Sequence, residues 1–416
     1  MGVISSASPP TPTIAGVPKP VPEAGVAGPH STIDGGTVAP SPSKTPFHLG
    51  NLPALTGIRT LIIATVLIYH SNFTALPGAW VAVQFFFALS GFLITSLLAS
   101  EGRRSGRISL KGFYLRRMAR LGPPVALTVL LLAVYASLVH VADASHRLWG
   151  DSAAAMFYYA DYRQAFGHAP FFGFLAQTWS LSVEEQFYVL WSVLMVIAVA
   201  MQQRRLAYAF AIIGLVLSIA DRLWMVSSAP HFDTAVFARI YYAFDTRADA
   251  IFLGCLLGLL ASDGFLREWR RWSIRLLAAT ALLSAVFLAW ILVAAPLLTE
   301  TLVVWWLPMS TLAAVVIIAY FVISPHGVGS RLMGIGLLVF IGNLSYTVYL
   351  VHFPVYQAIT PSGTHWSYWP TELVRLAVIL AIATASWFCI EKPLMAWRHR
   401  SARREEKTEN SSIARD

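Results

Sequence analysis

Long unbroken apolar stretches alternate with short polar, mostly basic connections along most of this chain. Ten stretches reach roughly the 20 residues that a helix needs to cross the hydrocarbon of a bilayer. They lie near 53–73, 79–99, 123–143, 185–201, 206–226, 241–261, 274–294, 301–323, 335–357 and 371–391. The fourth is the shortest, and the sixth carries Asp245, Arg247 and Asp249 at its start. The pattern predicts an all-α polytopic membrane protein built as a ten-helix bundle. Residues 1–47 are rich in Pro, Gly, Ser, Thr and Ala and nearly free of large apolar side chains. They lack the basic start, apolar core and cleavage site of a signal peptide, so a disordered cytoplasmic leader is expected. Residues 48–397 form the membrane domain, and 398–416 a basic cytoplasmic tail.

Composition agrees with the pattern. The chain is 56% hydrophobic and 12% charged, where a soluble protein carries about 25% charge. A net charge of +9 over 416 residues could serve nucleic acid, but the positions of the charges exclude that reading. With the N-terminus inside, the cytoplasmic pieces hold 23 Lys or Arg and the external pieces hold Arg147, Arg163 and Arg239 alone. That imbalance is the positive-inside rule at work, and it places both termini in the cytoplasm. Cys255 and Cys389 both fall in apolar runs, so each is expected to be buried packing, with no disulfide framework and no metal site.

Arg59 and His70 share the first apolar segment, eleven residues apart. Eleven helical steps of about 100° make three turns plus about 20°, so both side chains lie on one face, separated by roughly 16 Å of rise. Ionisable groups in a lipid-buried helix point to function. The charge-derived orientation sorts the others into two layers. Glu184, Glu185, Asp221, Arg222, Asp245, Arg247, Asp249 and His352 are expected near the external level of His70, and Arg116, Arg117 and Arg120, read as a basic loop ending at Pro124, near Arg59. Structural alternatives stand beside these readings. Asp221 and Arg222 suit an interface ion pair, Asp245 and Asp249 at i and i+4 could pair around Arg247, and the three loop arginines could only set topology. Ser345, Tyr349, His352 and Tyr356 fall on one face of the ninth helix, which suits either interhelical hydrogen bonds or a cavity lining. In the second helix, Ser90-Gly91 allows another backbone to approach closely.

Seven motifs then agree in order with a known family: Arg59 to His70, Phe86-Phe-Ala-Leu-Ser-Gly-Phe92, Arg116-Arg-Met-Ala-Arg120, Trp179-Ser-Leu-Ser-Val-Glu-Glu-Gln-Phe-Tyr188, Asp245-Thr-Arg-Ala-Asp249, Ile341-Gly-Asn-Leu-Ser-Tyr-Thr-Val-Tyr-Leu-Val-His-Phe-Pro354, and Glu391-Lys-Pro393. Over about residues 50–396 the chain resembles the membrane-bound acyltransferase-3 proteins, bacterial enzymes that O-acylate sugars and related acceptors. The resemblance implies a ten-helix core in the bacterial inner membrane, carries the essential Arg–His pair onto Arg59 and His70, and carries the Ser-Val-Glu motif onto Ser182 and Glu184. Many relatives append a C-terminal hydrolase-like domain. Only about twenty polar residues follow Pro393, so a stand-alone form is expected.

The expected chemistry follows from this. Acyl-CoA, the donor, is made in the cytoplasm and carries several phosphate charges that Arg116, Arg117 and Arg120 could hold, helped by Arg59. His70 would act as general base on an acceptor hydroxyl, Glu184 would orient its imidazole, and Arg59, Tyr346 or Tyr349 would stabilise the oxyanion. Ser90, Ser182, Asp245, Arg247, Asp249, Tyr346, Tyr349, His352 and Glu391 are expected to line the cavity. No resident cofactor or nucleic-acid partner is expected; membrane lipid surrounds the chain. A cell-envelope glycan or glycolipid is the expected acceptor, with a macrolide or other secondary metabolite as the alternative. A transporter of acyl groups or glycolipids is the competing class, but the halves show no internal repeat of the kind transporter folds often carry. A sensor or assembly role is a third.

Overall fold

The structure, a computed structural model, describes residues 52–71, 76–139, 144–167, 173–268 and 271–396. The expected leader 1–47 and tail 398–416 lie outside the described residues. The helices are α1 (Pro53–His70), α2 (Val81–Ser105), α3 (Leu110–Val139), α4 (Ala144–Met156), α5 (Ala160–Phe166), α6 (Trp179–Ala200), α7 (Arg204–Ser228), α8 (Thr234–Tyr242), α9 (Phe244–Ser262), α10 (Arg271–Ala294), α11 (Leu307–Ile323), α12 (Val328–Met333), α13 (Gly336–Ala358), α14 (Pro361–Thr364) and α15 (Tyr368–Ser386). Among the described residues there is no strand, and nine helices are long and apolar enough to cross a membrane. The expected span outside these nine is the sixth, 241–261, which corresponds to α9 with its 19 residues. Its charges set it apart from the other nine.

Lipid tails are as apolar as leucine, so hydrophobicity alone does not decide which helices pair. Small residues do. A Cβ on Gly91 of α2 would overlap the carbonyl oxygen of Ile251, and one on Gly254 of α9 would overlap that of Ala88. The backbones of α2 and α9 therefore touch, and this close crossing places α9 in the centre of the molecule. The approach expected at Ser90-Gly91 is this one. Gly342 of α13 does the same against Thr56 of α1. Two packed cores result, one about Phe187, Trp191 and Phe252, the other about Ile63, Leu89, Ile318 and Val348. By contrast, α10 presents Leu282, Leu283, Val286 and Val293 outward, as a lipid-facing helix does.

Four sequence expectations are corrected. The supposed basic loop is helical: α3 begins at Leu110 and runs through Pro123 and Pro124 without a break. Proline ends most helices of soluble proteins, but inside a membrane bundle helices tolerate it; next to the proline pair, the Tyr346 hydroxyl of α13 donates to Leu121 O at 3.2 Å and ties the two helices together there. Cys389 is exposed while Cys255 is buried, because α15 passes into a π-helical turn, Trp387–Glu391, that directs Glu391 inward instead. Arg222 does not pair with its sequence neighbour Asp221 but reaches Asp249 on α9 at 2.9 Å. Adjacent helical residues point about 100° apart, so a partner on another helix is nearer. Lastly, Asp245 and Asp249 do not pair around Arg247: Arg239 of α8 makes a two-pronged bond to Asp245, and Arg222 takes Asp249.

Candidate active site

His70 is the last residue of α1, and its ring faces α13. Its Nδ1 lies 3.0 Å from the Val66 carbonyl oxygen and 3.2 Å from Nε2 of His352. His352 is wholly buried, with its own Nδ1 2.6 Å from Tyr349 O. Pro354, two residues on, has no N–H for the carbonyl of Leu350; Gln177 Nε2 fills the gap at 2.8 Å. His70 opens on a cavity of about 80 Å³ whose other walls include Tyr69, Trp80, Gln177, Trp179, Tyr241, Tyr242 and Tyr349. Such an aromatic lining presents flat apolar faces beside a few polar edges, the kind of surface that small-molecule sites use.

A second cavity, about 60 Å³, lies toward the Arg59 end of α1. Arg59, Glu184, Ser180, Ser345, Tyr346 and Tyr349 line it, with Phe86 and Phe87. Tyr349 and Val83 belong to the walls of both cavities, so α1 carries one cavity at Arg59, another at His70, and a shared partition between them. Arg59 Nε has no hydrogen-bond partner, and Ser345 Oγ has none either.

The three arginines of α3 are not equivalent. Arg116 pairs with Glu101 at 3.1 Å. Arg117 pairs with Glu185 at 2.7 Å and stacks over the Tyr188 ring, 3.3 Å from its centroid. Among the described residues Arg120 has no ion pair; it and Arg59 are the guanidinium groups left uncommitted here. Two expectations change with this. Glu184 does not touch His70; it shares a cavity with Arg59 and accepts from the Tyr188 hydroxyl at 3.3 Å. The two expected layers also merge, since Glu185, placed with His70, pairs with Arg117, placed with Arg59. Both corrections have one cause, that sequence position along one helix does not report which neighbour it meets at a given depth.

The remaining candidates separate into cavity walls and braces. The hydroxyl of Tyr349 donates to Gln177 O at 2.7 Å and accepts from Ser180 Oγ at 2.7 Å. Tyr346 donates to Leu121 O. Both phenolic protons are engaged, which leaves Arg59 and Ser345 as the uncommitted donors in that cavity. Ser90 bonds the Tyr188 hydroxyl. Ser182 is a brace: it donates to Thr178 O and accepts the backbone N–H of Ala160, tying α5 to α6. The α6 serine that reaches the cavity is Ser180, which sequence reasoning missed. Its signal was present, because Ser180 and Glu184 stand at i and i+4 on one face. Glu391 is buried and accepts from Thr347 Oγ1 at 2.7 Å and Ser386 Oγ at 2.8 Å.

Arg247 is the outlier. It is fully buried, none of its three guanidinium nitrogens has a hydrogen-bond partner, and its charge sits 4.5 Å from the Tyr241 ring centroid and 5.6 Å from that of Trp179. Those two rings are also walls of the His70 cavity. Outside the spans, burial pushes the Asp161 carboxyl of α5 up to about 6, against hydrogen bonds that lower it, one of them from Gln186. No group of three or more His, Cys, Asp or Glu is placed to hold a metal ion among the described residues.

Several known proteins are similar to this chain. A peptidoglycan O-acetyltransferase of Listeria monocytogenes is 28% identical over 357 residues, covering 82% of this chain and 56% of that protein. A Bacillus subtilis protein, named provisionally as a peptidoglycan O-acetyltransferase, is 29% identical over 380 residues, covering 86% and 57%. A Staphylococcus aureus protein, named provisionally as an O-acetyltransferase, is 30% identical over 319 residues, covering 73% and 50%. The chain thus spans about half the length of the curated relatives it matches. No solved structure matches it. The profile of an acyltransferase domain matches residues 52–391, nearly all of the described helices, and the chain therefore belongs to the acyltransferase-3 family.

Proposed function

We propose that this protein is a membrane O-acyltransferase that moves an acetyl group from cytoplasmic acetyl-CoA to a hydroxyl of a cell-envelope glycan. The carrying observation is the pair of cavities on α1, with Arg59 in one, His70 in the other and Tyr349 between them. The names of the relatives support a peptidoglycan-type acceptor, and the distribution of Lys and Arg along the chain supports a cytoplasmic Arg59 end with both termini inside.

In this reading the phosphates of the donor lie against Arg120, with Arg59 nearer the thioester. The acceptor sugar enters at the opposite end, where aromatic walls can stack against it. His70 Nε2 takes the proton of the acceptor hydroxyl as its oxygen attacks the thioester carbonyl at the Tyr349 partition. Arg59 faces the carbonyl oxygen, where negative charge develops. The new C–O bond forms, the C–S bond breaks, and the departing thiolate regains the proton from His70, so the enzyme returns unchanged.

Right-side-out and inverted vesicles test both the reaction and its direction. With labelled acetyl-CoA and a glycan acceptor, label should reach the glycan only when acetyl-CoA faces the Arg59 end. Transfer that depends on acetyl-CoA at the His70 end overturns the assigned direction. Uptake of an unmodified solute, with no acetylated product, overturns the assignment as a transferase.

A further inference from the structure

We infer that His352 is the positioning residue for His70, holding it in the tautomer whose Nε2 is free to act as a base. The argument is one of donors and acceptors. A carbonyl oxygen only accepts, so the 3.0 Å contact with Val66 O is a hydrogen bond when His70 carries its proton on Nδ1. The 2.6 Å contact with Tyr349 O requires the same of His352. A neutral His352 then has its lone pair on Nε2, and that atom stands 3.2 Å from the His70 Nδ1–H. The His70 proton is shared between Val66 O and His352 Nε2, and no other neutral arrangement avoids a clash of two lone pairs or two protons.

His352 cannot exchange roles with His70. It is wholly buried, both its ring nitrogens are engaged, and the His70 ring is the one that forms a cavity wall. Its own position is fixed from two sides. The ring bonds back to the carbonyl three residues earlier, and Gln177 holds the Leu350 carbonyl that Pro354 leaves without a donor. In many hydrolases a carboxylate orients the histidine base. A neutral imidazole can do the same inside a membrane without burying a second charge, which is expensive there. When His70 Nε2 gains the acceptor proton, Nδ1–H becomes a stronger donor to His352, and no proton leaves His70 through that bond.

This inference rests on His70 being the base, but its first test does not. In full-length protein in liposomes, labelled with ¹⁵N-histidine, solid-state NMR reports which His70 nitrogen bears the proton; His70→Gln identifies the signals. The expected result is Nδ1–H in the unaltered protein, with a gain of the Nε2–H form in His352→Phe. Acetyl transfer by His352→Phe should fall about 100-fold or more in kcat with KM nearly unchanged. His352→Asn, whose side-chain oxygen can accept the same proton, should recover part of that loss. An Nε2–H His70 in the unaltered protein overturns the inference. So does an unchanged tautomer in His352→Phe, or equal losses in the Phe and Asn variants. If the unaltered protein transfers no acetyl group, the functional reading fails while the NMR result still judges the positioning.

Discussion

Replacing Arg247 by Met, and separately Arg222 by Met, sets two buried guanidinium groups on neighbouring helices against each other. Arg222 and Asp249 stand 2.9 Å apart with side chains 1% and 3% exposed, and Arg222 also donates to Thr246 O at 3.0 Å. Removing Arg222 leaves Asp249 charged, buried and alone, a loss of about 3–5 kcal/mol. Arg247 has no hydrogen bonds to lose. Its deletion removes the desolvation penalty of an unpartnered ion, several kcal/mol, and forfeits a cation–π stabilisation of about 2 kcal/mol, while Met keeps most of the stem packing. The balance favours Arg247→Met, which should leave the unfolding midpoint in detergent unchanged or higher. Arg222→Met should lower it by many degrees, and Asp249→Asn added to it should recover part of the loss. A group kept at such expense beside the His70 cavity belongs to function rather than to stability, so acetyl transfer by Arg247→Met should fall at least tenfold despite the intact fold. If Arg247→Met unfolds as readily as Arg222→Met, the guanidinium is a net stabiliser and this reasoning is wrong.

Three further outcomes follow from the geometry. Arg59→Lys keeps the charge but loses the planar fork, and a radiolabel assay should show kcat for acetyl transfer lowered more than tenfold with the protein level unchanged. Gly91→Leu drives a side chain into the Ile251 carbonyl, so expression and detergent-extracted yield should collapse, whereas Gly336→Ala, at the start of α13 with open space around it, should leave both nearly intact. The raised Asp161 carboxyl favours the protonated form in the folded state, so its stabilising contribution is full below about pH 4 and is lost as pH rises through about 6. Asp161→Asn should therefore gain on the unaltered protein between pH 5 and pH 8, by at most about 3 kcal/mol, and midpoints measured across that range check the sign.

The spans were legible because a bilayer asks one thing of a segment, enough consecutive apolar residues. The ninth was expected over 335–357 and is found at Gly336–Ala358. The faces were legible for the same geometric reason: Ser345, Tyr349, His352 and Tyr356 all turn inward. Pairing was not. Arg222 with Asp249, Arg239 with Asp245 and Arg117 with Glu185 are decided by which helices cross and at what depth, and a list of charges holds neither quantity. The start of α3 was misjudged because proline ends helices readily only where water can take up the freed backbone groups, whereas in a bilayer leaving the helix exposes still more of them.

The two cavities also differ in how strongly they mark the sequence. The Arg59 cavity holds ionisable groups, and in a membrane segment each of those is conspicuous. The His70 cavity is held together by neutral donors and acceptors: Gln177 on the Leu350 carbonyl, Tyr349 on the Gln177 carbonyl, and one imidazole on another. Such bonds need no charge, so they leave the hydropathy of their helices almost untouched, and Gln177 escapes a search for intramembrane ions. Their effect is nonetheless the more exacting. A guanidinium attracts an oxyanion over several ångströms and tolerates small misplacement, whereas the protonation state of His70 depends on which nitrogen meets a carbonyl within hydrogen-bond distance. The sequence therefore announces where charge is stabilised more loudly than where the proton is handled, and the latter becomes visible only when α1, α6 and α13 are brought together.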